Sequence, residues 1–322
     1  MDLAGARAIV LGASGFIGRW VARRLTLEGT ALWCTARDPV GAARIFEQYE
    51  VTSTLCRLDV LATDDLAHLL REVRPHTVFN LAGYGVDQRE RDPDLARAIN
   101  QETVQTLVDL VPRLCDPAWR GLSLVHTGSA LEYGEAGGGG DLSEETAPNP
   151  TTVYGRTKLT GTEILADAER RGAIKAVAAR LFTVYGPGEH AGRLLPTLLK
   201  AAGSTGRVAL SSGTQRRDFT YVEDVALGLS RLAAANRPMP AIMNLATGKL
   251  TAVREFVALA ASALGIANER LGFGDVPQRP EEMQHSAVSV DRLRSALGWV
   301  PATPIPAGVQ ATARFVAERG VT

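Results

Sequence analysis

The chain has 322 residues, 45% of them hydrophobic, and its 35 Lys+Arg balance its 35 Asp+Glu. That length suggests two domains or one large one, with a core that needs no disulfide or metal staple. An ordinary apolar content at zero net charge excludes a disordered chain and removes the electrostatic argument for a nucleic-acid or anionic-membrane partner.

Short apolar runs alternate with longer amphipathic ones from the start. Residues 8–11 read as a buried strand and 16–28 as a helix closed by Gly29; 31–35 and 39–49 are the next strand and helix. Residues 54–58 form a strand, and Thr63 caps a helix over 64–73. Strands at 77–81 and 122–127 flank a long helix from about Pro93 to Cys115, which Pro112 kinks or ends early. The segment 134–150 is Gly-rich, acidic and aperiodic: a linker, or a functional or mobile loop. A helix over 153–171 and a strand over 176–181 follow. This alternation predicts an α/β fold with a doubly wound parallel sheet. Beyond about Gly186 the elements shorten and Pro and Gly are denser, through Gln278-Arg279-Pro280, which predicts a smaller α/β C-terminal lobe and a substrate cleft beside it. On this reading residues 1–185 and 218–248 form the sheet domain, and 186–217 and 249–322 the lobe.

Cys34, Cys56 and Cys115 lie far apart with no C-x-x-C pair. Neither a disulfide framework nor a zinc knuckle fits, no metal is expected, and a reducing compartment suits the chain. The N-terminus has no basic segment ahead of an apolar one, and the longest uncharged apolar run, 256–268, is too short to span a bilayer. The expectation is a soluble, cytoplasmic protein with no membrane partner.

Gly12-Ala13-Ser14-Gly15-Phe16-Ile17-Gly18 sits between the first strand and first helix. The first glycine permits a tight turn, the second lets the backbone approach a diphosphate, and the third lets helix pack on strand, while the helix N-terminus offers free N–H groups to the anion. Alone, this G-x-x-G-x-x-G run is an ordinary turn; at the first strand–helix junction of a doubly wound pattern it predicts a Rossmann-type dinucleotide site. The second strand ends at Ala36-Arg37-Asp38, where a carboxylate normally holds the adenosine ribose. Ala36 stands there instead and the Arg37 guanidinium follows, which favours NADP(H) over NAD(H); Asp38, slightly late, keeps NAD open. Asp59-Val60, after the third strand, is where an adenine edge is met.

Tyr154 and Lys158 stand at i and i+4, hence on one helix face. A phenol titrates near 10, and a neighbouring ammonium in a water-poor cleft would bring it toward neutrality. A core tyrosine with a snorkelling lysine would give the same spacing. Ser129, at a strand end where ligands gather, favours catalysis, since it could hydrogen-bond both the tyrosine and a substrate carbonyl.

Gly12/Gly15/Gly18, Ser129 and Tyr154/Lys158, in this order, resemble the extended short-chain dehydrogenase/reductase family, in its nucleotide-sugar epimerase/dehydratase group. Further matches are Asn80-Leu81-Ala82-Gly83, Asn100, the 180–188 and 217–225 segments, Arg279-Pro280 and the 297–301 segment, so the resemblance covers nearly the whole chain. It implies Ser129, Tyr154 and Lys158 as the catalytic triad. Cofactor contacts would come from Gly12, Ser14, Gly15, Phe16, Ile17, Gly18, Arg37, Asp59, Val60, Leu81, Ala82, Gly83, Asn100, Thr127, Tyr154 and Lys158. A nucleotide-diphosphate sugar would be held by Ser129, Ala130, Thr183, Arg193, Arg217 and Arg279, the planar arginine fork suiting diphosphate. It also implies a homodimer through a four-helix bundle formed by the helices near 93–111 and 153–171.

Three departures bear on the reaction. Ala130 and Leu131 replace the acid pair of the family's 4,6-dehydratases, and Glu132 comes one residue late, where an extended backbone would turn it to the opposite face. Thr183 replaces a common asparagine, and Asn80 a common histidine. The leading expectation is an NADPH-dependent reductase of a nucleotide-linked 4-keto-6-deoxy sugar, with Tyr154 as proton donor. A 4-epimerase with retained cofactor is the runner-up, sugar-acid decarboxylation is a weaker option, and a non-catalytic cofactor-binding sensor or scaffold represents a different class.

Overall fold

The computed structural model describes residues 3–86, 90–134, 140–277 and 285–321. In chain order the first half runs β1 Arg7–Leu11, α1 Phe16–Leu27, β2 Ala31–Ala36, α2 Pro39–Gln48, β3 Thr54–Arg57, α3 Thr63–Val73, β4 Thr77–Asn80, α4 Pro93–Arg97, α5 Thr103–Leu114, β5 Leu124–Ser129, α6 Val153–Arg170 and β6 Ala176–Leu181. The second half runs β7 Thr183–Tyr185, α7 Leu194–Ala202, β8 Val208–Leu210, β9 Arg216–Tyr221, α8 Val222–Ala233, β10 Ile242–Leu245, β11 Leu250–Ala252, α9 Val253–Ala263, β12 Leu271–Phe273, α10 Asp291–Leu297 and α11 Ile305–Arg319.

Seven parallel strands form the central sheet in the order β10-β6-β5-β4-β1-β2-β3. Its strands are apolar on both faces because helices cover both. On β1, Ala8 and Val10 join one core cluster while Ile9 and Leu11 join the other, the two-residue alternation of a strand. Strand order reverses between β1 and β4, and ligands collect at the carboxyl ends of strands at such a point. Two smaller sheets complete the molecule: β7-β9-β11, with β9 and β11 antiparallel, and the parallel pair β8-β12. No helix among the described residues is long and apolar enough to cross a membrane.

Three local expectations are corrected. Thr63 is the first residue of α3, not its cap; Ala62 precedes it, and Asp64 and Asp65 supply negative charge to the first turn. The long helix is interrupted not at Pro112, which lies in the last turn of α5, but by a π-helical turn over Ala98–Glu102 between α4 and α5. Such turns often mark functional positions, and this one carries Asn100. The segment 130–132 is a 3-10 turn, not extended chain.

Part of the Gly-rich segment after β5 lies outside the described residues. From residue 140 onward it is docked: Leu142 bridges Val288, and Asn149 bridges Gly134. Thr152 then caps α6 by accepting the Gly155 N–H at 3.0 Å.

Helix α6 approaches the π turn so closely that a side-chain carbon on Gly161 would run into the Asn100 carbonyl oxygen. Gly161→Ala must therefore push α6 away from Asn100, and overpacking of this kind costs about 1–3 kcal/mol. Urea denaturation should show that loss; an unchanged midpoint would refute the close packing.

Candidate active site

The glycine-rich turn after β1 and the loop after β4 meet at the sheet's reversal point. Gly12 has φ +72°, and a side chain there would lie 2.8 Å from the backbone nitrogen of Ala82; both demands exclude other residues. A carbon on Gly18 would strike the Gly12 carbonyl, so α1 packs directly on the turn. The Leu81 N–H donates to the Leu11 carbonyl at 3.1 Å, locking the two loops together. These features fit a dinucleotide diphosphate over residues 12–18, which include Ser14, Gly15, Phe16 and Ile17, at the N-terminus of α1. Arg37 is exposed beyond β2. Asp38 is engaged locally: its Oδ1 accepts the Val40 and Gly41 N–H groups as the cap of α2. Asp59 and Val60 follow β3, with Asp59 accepting the Leu61 N–H.

On the other side of the turn, Asn100 reaches across to α6. Its Nδ2 donates to the Tyr84 carbonyl at 2.8 Å and to Thr157 Oγ1 at 2.9 Å, while its Oδ1 accepts the Tyr84 N–H. A carbon placed on Gly83 would lie 3.8 Å from Asn100 Oδ1 and 3.9 Å from Lys158 Nζ. Leu81, Ala82, Gly83, Asn100 and Lys158 thus line one edge of the crevice. Thr127 donates to the Asn80 carbonyl between β5 and β4.

Ser129, Tyr154 and Lys158 are brought together. Ser129 ends β5 and caps the 3-10 turn, its Oγ accepting the Leu131 N–H at 3.2 Å, and its hydroxyl acts on the Tyr154 phenol. The Tyr154 ring is partly accessible, and its edge faces the backbone of Gly85. Burial pushes its hydroxyl well above the ordinary phenol range; the Glu132 and Glu90 carboxylates push the same way, and the Ser129 hydrogen bond and Arg193 charge pull it back. The strongest help to the phenol thus comes from Ser129 and Arg193, where the i,i+4 spacing had suggested Lys158. Burial lowers the Lys158 ammonium to about 8, and the Glu132 carboxylate opposes that.

The residues expected around a substrate lie as follows. Ala130 is buried in the 3-10 turn, and Thr183 on β7 is buried with no hydrogen-bond partner for its hydroxyl among the described residues. Arg193 directly precedes α7, and its charge reaches Tyr154. Arg217 lies half-buried on β9 beside His285. Arg279 lies outside the described residues.

A model of the NAD-dependent epimerase/dehydratase family matches residues 8–246. The chain belongs to that family. Among its relatives is the dTDP-6-deoxy-L-talose 4-dehydrogenase (NAD(P)(+)) of Kitasatospora kifunensis, 31% identical over 308 residues covering 92% of each chain. The UDP-glucose 4-epimerase of Mycolicibacterium smegmatis is 25% identical over 96% of this chain and 98% of its own. Among solved structures, MoeE5 in complex with UDP-glucose and NAD superposes with TM-score 0.79 and 26% identity over 97% of this chain and 99% of that one. The dTDP-glucose 4,6-dehydratase of Bacillus anthracis, in complex with NAD, has TM-score 0.82 at 18% identity over 98% and 97% of the two chains, which shows a shared fold.

In this member of the epimerase/dehydratase family, four charged residues went unassigned in the sequence. Glu132 is fully buried and paired with Arg180, so it does not face a substrate; the reason is the 3-10 turn and not strand alternation. Arg19, directly after Gly18, folds back to donate to the carbonyls of Gly15 and Ser14 at 3.0 and 2.8 Å and lies over the Tyr49 ring. Its position beside the third glycine was the available signal. Glu90 accepts the Gly85 N–H at 2.8 Å and acts on Tyr154. Glu189, ahead of α7, is buried beside Arg193 at 3.4 Å with its second oxygen unpartnered among the described residues.

Burial raises Glu189 from 4.5 to about 7, with Arg193 opposing. The folded protein therefore holds a proton that the unfolded chain has released, and this group's contribution to stability is lost as pH rises from 4.5 to about 7. Glu189→Gln should flatten that slope, read from thermal melts at about pH 5 and about pH 7.5. Parallel native and variant curves would show that Glu189 does not titrate in this range.

Proposed function

We propose that this protein is an NADP(H)-dependent reductase of a nucleotide-linked 4-keto-6-deoxy sugar. The observation that carries it is the assembled Ser129–Tyr154–Lys158 set beside the glycine turn, joined to a β2 end that presents Arg37 and withholds a carboxylate. Arg37 makes no ion pair among the described residues. Asp38, the residue that kept NAD open, is committed to capping α2. The similarity to a dTDP-6-deoxy-L-talose 4-dehydrogenase that uses NAD(P)(+) points to the same substrate class, since oxidation at C4 is the reverse of this reduction.

A bound reduced nicotinamide supplies a hydride to the sugar carbonyl carbon. The chain's own groups manage the oxygen. Ser129 Oγ accepts the Leu131 N–H, and on this reading its O–H turns from the Tyr154 oxygen to donate to the carbonyl oxygen. Tyr154, kept protonated by burial, is the proton source as that oxygen becomes an alkoxide. Lys158 Nζ lies beside Gly83, and on this reading it holds the nicotinamide ribose. On this reading Arg193 and Arg217 contact the diphosphate and Thr183 contacts the sugar. The reading includes a homodimer built on α5 and α6, which pack side by side.

Incubation with NADPH and a panel of dTDP-, CDP- and GDP-4-keto-6-deoxy sugars should consume NADPH, and Tyr154→Phe should lower kcat by about 10²–10⁴. No turnover across the panel refutes the reading. Similarity to UDP-glucose 4-epimerases supports the second reading, an epimerase that recycles a retained cofactor. Denaturing the purified protein separates the two: released NAD⁺ favours the epimerase and contradicts the role of Arg37.

The cofactor preference has its own test. Arg37→Ala should weaken NADPH binding about 10- to 100-fold, the loss of one charge-assisted contact, and leave NADH unchanged. Equal effects on both would remove Arg37 from 2′-phosphate recognition.

A further inference from the structure

Glu132 follows Ser129 by three residues, and its side chain has no solvent access. Its Oε1 accepts the Ser129 backbone N–H at 2.7 Å and the Thr162 hydroxyl at 3.1 Å. Its Oε2 accepts Arg180 Nε at 2.7 Å. Thr162 lies one turn after Lys158 on α6, so a single carboxylate joins the end of β5 to the helix that carries Tyr154 and Lys158. The backbone is shaped around it: a side-chain carbon on Gly128 would lie 2.6 Å from Oε1.

The charge count also singles out Glu132. Lys158 and Arg180 are each 2% exposed, and Glu132 is the buried anion that acts on both. Among the described residues the other groups facing Lys158 are not anions: His126 comes from β5, where burial and the Lys158 charge hold its ring unprotonated. Gly83 comes from the loop after β4 and the Asn100 amide from the π turn, and Tyr154 is a protonated phenol on the same helix. Arg180 is neutralised by Glu132 and stacked on the Tyr133 ring at 4.4 Å.

We propose that Glu132 is the positioning residue of the proton-transfer machinery, fixing the Ser129 turn through one oxygen and serving as the buried counter-charge of Lys158. This rests on the reading of Ser129, Tyr154 and Lys158 as the catalytic set. Breaking a buried ion pair leaves an uncompensated charge. Loss of Glu132 therefore makes the Lys158 ammonium the group that gives up its proton.

The sequence contains only four lysines, Lys158, Lys175, Lys200 and Lys249, and the last three are exposed. A ¹³C-lysine NMR titration of the intact protein can thus follow each one, with Lys158 assigned by its absence in Lys158→Arg. In the native protein Lys158 should titrate near 8. In Glu132→Gln its midpoint should fall by roughly one pH unit, while the other three stay put. Because Glu132→Gln strands Arg180 and could unfold the chain, Glu132→Gln/Arg180→Gln is measured alongside; it removes the whole pair, and the same downward shift is expected. An unchanged Lys158 midpoint in a folded variant overturns the proposal. The titration needs no sugar, so failure of the native protein to turn over keto sugars would sink the functional reading and leave this result standing.

Discussion

Holding an ammonium inside the protein is the constraint around which this site is built. Lys158 lies at 2% exposure with burial working against its charge, and an isolated buried cation would simply neutralise. Among the described residues, what acts on it is one anion, Glu132, beside the uncharged Asn100 amide and the Tyr154 phenol on the same helix. The same carboxylate is bonded to the Ser129 backbone, so the geometry of the Ser129 turn and the charge of the lysine have a common origin. The close approach of α6 to the π turn serves this arrangement as well. It brings Asn100 within reach of Thr157 and seats Lys158 against the loop that borders the glycine turn.

Much of this was legible in the residues because it depends on period and punctuation. The strand–helix alternation gives the parallel sheet its order, and glycines at 12, 15 and 18 sit at the junction where the backbone must turn. Tyr154 and Lys158 share a face by spacing alone. The parts that were not legible depend on a single residue's change of helical register. A π turn adds one residue to a helix without disturbing its amphipathic appearance, so 93–115 reads as continuous. A 3-10 turn over 130–132 rotates side chains differently from a strand, which is why the conclusion about Glu132 held while its stated reason did not. Asp38 shows the same limit at the scale of one side chain. Its identity as a helix cap is a matter of Oδ1 meeting two N–H groups, and the sequence offers that role and a ribose contact equally.

The placement of acids also bears on which reaction a shared Ser-Tyr-Lys set performs. Elimination of water from a hexose needs a second acid and base beside the sugar, and here the positions that would carry them are Ala130 and Leu131, with the nearest carboxylate turned inward to Arg180. What remains next to the carbonyl is a phenol that burial keeps protonated. Such a group can give a proton to an oxygen gaining electrons, as the proposed reduction requires. The carboxylates that act on it, Glu132 and Glu90, hold it further toward the protonated form, since each makes the tyrosinate less favourable, and Ser129 and Arg193 pull the other way. Arg193 opposes them from the end of α7, yet it is already paired with Glu189, a carboxyl that takes up a proton near neutral pH. Protonation of Glu189 would leave Arg193 with its full charge, available both to Tyr154 and to a diphosphate. The acid–base balance of the tyrosine is thereby tied to the loop that would meet the substrate, and the proton-donating state of the site follows from where four carboxylates and arginines are placed rather than from the triad alone.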